Sequence, residues 1–400
     1  MRILAVVLLL AWMAPPALAD DQPKAEKVTV QQLEQVLAAA HGKPDAEIAQ
    51  QLSGMDLTER LSAARFARLN AGLPGEKAKQ ALLILSDSAT FLNPPVSEIP
   101  ADAAPGPPET RRMLTAIVNY VNTTARQLPN LMAFRETTGF EDRPQEDRQG
   151  STGLTTLIYL PLHLVGKSSI AVTYRDRKEV VDEKAMKHGP QIAGLTTSGE
   201  FGPILSRVVG DALQGKITWS RWEKAEGGTV AVFHYAVPHE KSNYMVQFCC
   251  VAEGFNSDGS PISRVFSERA AYHGEIAFNP TTGAILRIAM EAEMPTDELV
   301  SKAGMLVEYA PVEIGGRSYI CPVKSVSVLM AHTASHLGAY SMSSYKGQAK
   351  TFLNDVVFDQ YRRFGTESRI LAGDSEDTNG PSAPASAAAP FGAPSRAPTH

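Results

Sequence analysis

The spacing of the apolar residues changes at Pro129, and this change most constrains the fold of the chain. Before Pro129 the apolar residues recur every three or four positions, which is the helical period. After it they recur mainly at every second position, which is the period of a strand with one buried face. The sequence therefore predicts an α+β protein, in which a small N-terminal helical domain precedes a curved, half-barrel-like antiparallel β-sheet covered by helices.

The helical domain is predicted over residues 28–92. Thr29 and Gln32 have the spacing of a capping box at its start. Thr58 is placed as the N-cap of the third helix, because an apolar helical pattern follows it. Residues 93–108 contain a cluster of prolines and are interpreted as an extended, stiff linker between two domains.

The second domain is predicted over residues 109–371, and it begins with a long helix from Glu109 to Leu128. A further helix is predicted from Gly199 to Leu213, because Thr197 and Glu200 form a second capping box there. The remaining elements are strands separated by turn residues. The predicted strands are Met132–Phe140, Leu154–Leu164, Ser168–Tyr174, Lys178–Asp182, Lys216–Lys224, Thr229–Ala236, Asn243–Val251, Val265–Phe278, Ala284–Met294, Met305–Val312, Arg317–Leu329 and Ala349–Phe364.

Both ends of the chain have compositions that differ from the rest. Residues 1–19 are typical of a secretory signal peptide, with an apolar run over Ile3–Met13 and small residues at Ala17 and Ala19 before the cleavage site. This run is shorter than the roughly 20 residues that a membrane-spanning helix needs. We therefore expect an exported protein, periplasmic or extracellular in a bacterial envelope, with no transmembrane segment after cleavage. Residues 372–400 are rich in Pro, Ala and Ser, which predicts a disordered tail.

Charge and motifs exclude several classes of function. The net charge of −5 argues against nucleic acid as a partner, because phosphate backbones need a basic surface. Gly210–Lys216 has the spacing of a phosphate loop, but Ile217 stands where magnesium binding requires Ser or Thr. His332 and His336 lack the glutamate of a zinc protease motif, and Ser343–Lys346 lacks the companion motifs of serine enzymes. No metal, cofactor or catalytic residue is assigned.

The three cysteines are expected to form one disulfide. Alternation along the strand puts Cys250 on the apolar face and Cys249 on the opposite face. An exported compartment favours oxidation. A bond between adjacent cysteines is strained, so a bridge from one of the pair to Cys321, with Cys250 the predicted partner, is preferred. Three reduced, buried thiols are the alternative.

Aromatic residues on neighbouring strands are the candidate ligand-binding surface. Trp219 and Trp222 are predicted to lie on opposite faces of one strand. A sheet covered by a helix would bury the aromatic residues as ordinary core. A partly open half-barrel would instead leave them lining an apolar cleft for an acyl chain. The candidates are Trp219, Trp222, Tyr235, Tyr244, Phe248 and Phe278.

Eight sequence runs carry a resemblance to a family of uncharacterised exported bacterial proteins, over residues 110–371. The β pattern also resembles, more loosely, the half-barrels of lipoprotein carriers (LolA-like) and of the RseB/MucB sensor of envelope stress. That resemblance implies an unclosed antiparallel sheet around helices, with acyl chains held on the concave face. The runs are LPNLMAFRETTGFED, VTYRDRKEVVD, GEFGPIL, GTVAVFHYAV, YMVQFCC, YHGEIAFNPTTGAILRI, VEYAPVEIGGRSYICPVKSVSV and TFLNDVVFDQYRRFGTESRI.

Three functional hypotheses follow. The first is a non-catalytic envelope protein that binds a lipid, an acylated protein or another partner on the concave face of its sheet. The second is a protein-interaction or signalling module that docks an envelope partner through the helices of residues 28–92, which would then expose an apolar stripe. The third is a hydrolase-type enzyme, which would bring perturbed carboxylates together in a cleft.

Overall fold

The computed structural model describes residues 25–124, 127–147, 156–181, 192–195, 197–225, 227–257, 261–295, 299–332 and 349–363. The predicted signal peptide and the predicted C-terminal tail lie outside these residues. Residues 25–363 begin with a helical region and continue into a large sheet. In the described residues no helix combines the length and the apolar character needed to cross a membrane.

The helical region contains four α-helices and a short parallel strand pair. The helices are α1 (Val30–Ala39), α2 (Asp45–Ser53), α3 (Ala63–Ala71) and α4 (Glu76–Ser88), and the pair is β1 (Glu26–Val28) with β2 (Met55–Leu57). The capping box is confirmed, since the Gln32 amide N–H donates to the Thr29 hydroxyl and the Thr29 N–H to the Gln32 side chain. The placement of Thr58 as an N-cap is wrong. Its N–H extends the strand pair by donating to the Val28 carbonyl (2.9 Å), and Ser62 precedes the helix instead.

The second part of the chain contributes two further helices and twelve strands to the described residues. The helices are α5 (Pro107–Asn119), followed by a π-turn over Tyr120–Thr124, and α6 (Pro203–Gln214). The strands are β3 (Leu131–Asp147), β4 (Thr156–Arg175), β5 (Lys178–Val181), β6 (Lys216–Ala225), β7 (Gly228–Val237), β8 (Met245–Phe255), β9 (Pro261–Arg269), β10 (Tyr272–Phe278), β11 (Ile285–Ala292), β12 (Val300–Ile314), β13 (Arg317–His332) and β14 (Ala349–Arg363).

Ten of these strands form one antiparallel sheet in the order β5-β4-β3-β14-β13-β12-β11-β10-β7-β6. The sheet does not close, so β5 and β6 are its edges. The predicted α+β class and the open, curved antiparallel sheet with helices are confirmed. The sheet differs from the predicted meander at one place, since β10 pairs directly with β7 and the intervening β8 and β9 pair only with each other. The strand predicted over Val265–Phe278 is therefore two strands.

Both faces of the sheet are covered. We call the face that contacts α5, α6 and the β8–β9 hairpin the inner face, and the opposite face the outer face. Val328 and Leu329 are consecutive in β13 and show this division. Leu329 belongs to the inner-face core cluster, which also contains Met113 of α5 and the hairpin residue Phe248. Val328 packs on the outer face against α4, with Leu83, Ile84 and Phe91.

Buried ion pairs hold the helical region on the outer face. Lys324 of β13 contacts Asp87 of α4 (2.7 Å) and Asp355 of β14 (2.9 Å). Arg60, in the segment before α3, pairs with Glu223 of β6, which also accepts hydrogen bonds from Arg287. Burial opposes the ionisation of Glu223, but Arg287 and Arg60 outweigh it and lower its pKa to about 2. The described residues accordingly belong to one compact unit.

Candidate functional site

A cavity of about 270 Å³ lies on the inner face, between the sheet and the elements that cover it. Its floor is formed by Met290 and Met305, which are opposite each other across the β11–β12 ladder. Its walls come from the first half of α6, from β8 and from the segment that precedes α6. The residues around the cavity are Leu195, Thr197, Ser198, Ile204, Arg207, Tyr244, Met245, Gln247, Met290 and Met305.

The aromatic candidates are mostly core residues, and Tyr244 is the candidate that lines the cavity. Tyr235 and Phe278 have no exposed surface, and Phe248 is 1% exposed. Tyr235 and Phe278 lie in the sheet beneath the covering elements, and Phe248 packs onto the sheet from the hairpin. This is the alternative in which the aromatic residues form ordinary core. The apolar cleft is thus reduced to the cavity around Tyr244. Its floor of two methionines suits a ligand of irregular shape, because methionine side chains are flexible and polarisable.

Trp219 and Trp222 lie on the same face of β6, so the prediction that they point to opposite faces is wrong. The register of β6 with β7 shifts between Trp219 and Arg221, which is the mark of a β-bulge. The extra residue turns Trp222 back to the inner face, where its ring lies 4.7 Å from that of Trp219. The Trp222 indole N–H donates to the Ala103 carbonyl of the proline-rich segment (2.9 Å), so this tryptophan anchors the segment along the sheet edge.

Tyr244 lies in a group with Tyr235 and Tyr272, and it differs from both because its hydroxyl has no hydrogen-bond partner among the described residues. The Tyr235 hydroxyl donates to the Ala289 carbonyl (2.8 Å), and the Tyr272 hydroxyl donates to Asp211 (3.0 Å). The Tyr244 hydroxyl is buried and has no hydrogen-bond partner among the described residues. Burial raises the pKa of Tyr244, so the group is neutral and able to donate. Leaving such a group unpaired costs about 1–3 kcal/mol.

Asp211 fixes the position of α6 relative to the start of the hairpin. Its carboxylate accepts hydrogen bonds from the Asn243 backbone N–H (2.8 Å) and side-chain amide (2.7 Å), and from Tyr272. The Gly210–Lys216 segment leaves this helix and enters β6, which is the reverse of the strand-to-helix order in phosphate loops. Asp211 therefore has a structural role, in which it holds α6 against the start of the hairpin.

A pair of buried carboxylates lies behind the segment that forms the cavity wall. Glu179 of β5 accepts a hydrogen bond from the Gly199 N–H (2.9 Å), and Glu200 has no exposed surface. Arg135 of β3 holds the same segment by donating to the Thr197 hydroxyl (2.5 Å), and its guanidinium lies 3.6 Å from Glu200. Burial, reinforced by the nearby Glu200 carboxylate and opposed by Arg135, raises the pKa of Glu179 to about 7.

These contacts overturn the second predicted capping box. Helix α6 begins at Pro203 and not at Gly199, and Gly202 is its N-cap residue. Thr197 is bound to Arg135 instead of to the helix. Glu200 is turned into the protein interior, where neither of its oxygens has a hydrogen-bond partner in the described part of the chain. Thr197 and Glu200 therefore belong to the segment that precedes α6 and forms the cavity wall, and they do not cap the helix.

The cysteine pairing also differs from the prediction. Cys249 and Cys250 form the disulfide with each other, across a cis peptide bond. Cys321 lies in β13 of the sheet and is a free, buried thiol packed with Leu131 and Phe201. The predicted Cys250–Cys321 bridge is wrong, because β8 leaves the sheet as part of the hairpin while Cys321 stays within the sheet. Chain adjacency keeps the two hairpin sulfurs together.

No group of three or more His, Cys, Asp or Glu side chains in the described residues is arranged to hold a metal ion. His332 ends β13, while His336 and the Ser343–Lys346 motif lie outside the described residues. Comparisons of the chain with protein-family models, with curated proteins and with solved structures find no match.

Most residues of the cavity were not found by reading the sequence. Met290 and Met305 read as ordinary alternating strand residues, and Arg207 reads as an exposed helix residue. These residues meet at one cavity because the β8–β9 hairpin lies outside the ten-stranded sheet. No local sequence pattern predicts that the hairpin leaves the sheet. The signal in the sequence is the aromatic spacing of the strand predicted over Asn243–Val251, which places Tyr244 among the candidates.

Proposed function

We propose that this chain is a non-catalytic binding protein of the bacterial envelope, which takes a single apolar chain of a lipid or acylated partner into the inner-face cavity. The observation that carries the proposal is the cavity itself, in which Leu195, Ile204, Met290 and Met305 form an apolar part beside polar residues such as Thr197 and Gln247. Its volume of about 270 Å³ lies just below the roughly 300–1,000 Å³ of pockets for drug-sized ligands. The size therefore favours one chain over a two-chain lipid.

The hairpin that covers the cavity supports this function. β8 and β9 make their ladder with each other, and in the described residues an isolated bridge between Phe248 and Leu195 links the hairpin to a neighbouring segment. Otherwise the hairpin packs on the sheet through side chains such as Val246 and Phe266. It can therefore shift to admit a chain without breaking hydrogen bonds of the ten-stranded sheet.

The two alternative functions find less support. Within the described part of residues 28–92, Leu92 is the exposed large apolar side chain, so the helices present no apolar stripe for docking a partner. Glu179 and Glu200 are the facing carboxylates that an enzyme would need. Glu200 has no exposed surface, Glu179 is partly exposed on the edge strand β5, and neither lines the cavity.

The test is uptake of an uncharged chain, decanol, measured by native mass spectrometry and by calorimetric titration. Ser198 is an exposed wall residue, so Ser198→Trp should fill the cavity without disturbing the core. Ser206, exposed on α6 outside the cavity lining, gives the matched control Ser206→Trp. We expect one decanol per chain in the wild type and the control, and at least tenfold weaker binding in Ser198→Trp. Absence of decanol binding in the wild type, or equal binding by both variants, would contradict the proposal.

A further inference from the structure

Among the described residues, the charged side chain that lines the cavity is a cation, Arg207. Arg207 belongs to α6 and is exposed, and it makes no ion pair within the residues that the structure describes. The nearest acid along the helix, Asp211, is buried and is occupied by Asn243 and Tyr272. Among the described residues, no acidic side chain lines the cavity. An anion placed there would meet a cation without a competing carboxylate.

The Tyr244 hydroxyl supplies a second, independent donor. Tyr244 is 6% exposed, lines the same cavity, and its hydroxyl has no partner among the described residues. The neighbouring Tyr272, whose ring lies 5.3 Å away, has its hydroxyl satisfied by Asp211. A buried donor without a partner, beside a cavity, is available to an acceptor on a ligand.

We propose that the ligand is a single-chain anionic amphiphile, with its carboxylate or phosphate head bound by Arg207 and the Tyr244 hydroxyl and its chain lying over Met290 and Met305. This inference rests on the proposed function and adds the chemistry of the head group. Ile204, in the first turn of α6, also borders the cavity and adds apolar surface beside Arg207. Charge-assisted hydrogen bonds to a guanidinium are stronger than neutral ones, so the head group should decide selectivity.

The experiment compares ligands that share one chain and differ in the head. Decanoate, decyl phosphate, decanol and decyltrimethylammonium are titrated into the full mature protein by calorimetry, below their micelle concentrations. We expect decanoate or decyl phosphate to bind at least tenfold more tightly than decanol, and the ammonium to bind most weakly. Acetate and inorganic phosphate serve as heads without chains and should bind at least a hundredfold more weakly than their ten-carbon counterparts.

Variants assign the effect to the two residues. Arg207→Gln should weaken decanoate binding about tenfold and leave decanol binding unchanged, and Arg207→Lys should restore part of the loss. Tyr244→Phe, which keeps the buried ring, should weaken decanoate binding several-fold. Arg111→Gln, on the exposed face of α5, is the matched control and should bind like the wild type.

The outcomes separate this inference from the function on which it rests. Equal affinities for decanoate and decanol, or no effect of Arg207→Gln, would overturn the anionic head while leaving the apolar-chain site intact. Tighter binding of the ammonium would overturn it as well. Failure of all four ten-carbon ligands to bind would overturn the proposed function itself. Circular dichroism of each variant confirms that a loss of binding is not a loss of fold.

Discussion

Replacing Glu179 by glutamine should make the protein more stable at alkaline pH, although it removes a charged group from a hydrogen-bonded site. The Glu179 carboxyl lies with Glu200 behind the cavity wall, and its pKa is raised by burial from the ordinary 4.5 to about 7. Between these two values the unfolded chain releases a proton that the folded chain keeps. The stability that this group contributes is therefore fully present below pH 4.5 and is lost as the pH rises through 7.

The size of the effect follows from the shift. At about 1.4 kcal/mol for each pH unit, a rise from 4.5 to about 7 corresponds to about 3 kcal/mol of lost stability at pH 8. Glutamine is neutral at every pH and keeps a carbonyl oxygen that accepts the hydrogen bond from the Gly199 N–H. Glu179→Gln should therefore match the wild type near pH 4.5 and exceed it by up to about 3 kcal/mol at pH 8.

The assay is urea unfolding followed by far-ultraviolet circular dichroism, at several pH values from 4.5 to 8. Glu136, exposed on β3, provides the control Glu136→Gln, which should follow the wild type at every pH. Glu200→Gln should also flatten the profile, because it removes the second cause of the raised Glu179 pKa. A stability difference between Glu179→Gln and the wild type that is the same at pH 4.5 and pH 8 would refute the reasoning.

Three further predictions concern the sheet and its cysteines. Glu223→Gln removes the acid that pairs with Arg287 and leaves buried guanidinium groups without a counter-charge. The free energy of unfolding in urea should fall by about 3–5 kcal/mol. A loss below 1 kcal/mol would contradict this. Gly274→Ala places a methyl group against the Ala289 carbonyl oxygen and should lower stability by about 1–3 kcal/mol in the same assay, whereas an unchanged midpoint would show that the strands separate freely. Burial raises the pKa of the Cys321 thiol to about 12, so one thiol should react with a disulfide reagent after unfolding and none before it; a reactive thiol in the native protein would disprove the burial.

The sequence pattern predicted most helices and strands of this fold, but it missed the features that depend on contacts between distant segments. Strands could be located because the alternation of apolar and polar residues is a local property of the sequence. The Thr29 capping box could be predicted because its two residues are only three positions apart. The bulge that brings Trp219 and Trp222 to one face depends on pairing with β7, which the strand's own sequence does not encode. Glu200 satisfied a helix-start pattern, but contacts with β3 and β5 draw this segment away from a helical conformation.

The cavity exists because the hairpin is excluded from the sheet. β7 and β10 pair directly, so β8 and β9 have no place in the ladder and must bury their apolar side elsewhere. The inner face is the available surface, and alternation from Tyr244 into β8 directs Tyr244, Val246 and Phe248 onto it. A two-stranded hairpin laid over a sheet leaves space where the covering elements meet, and here Met290 and Met305 border that space. The break in the strand order is thus what turns an otherwise filled inner face into a candidate binding site.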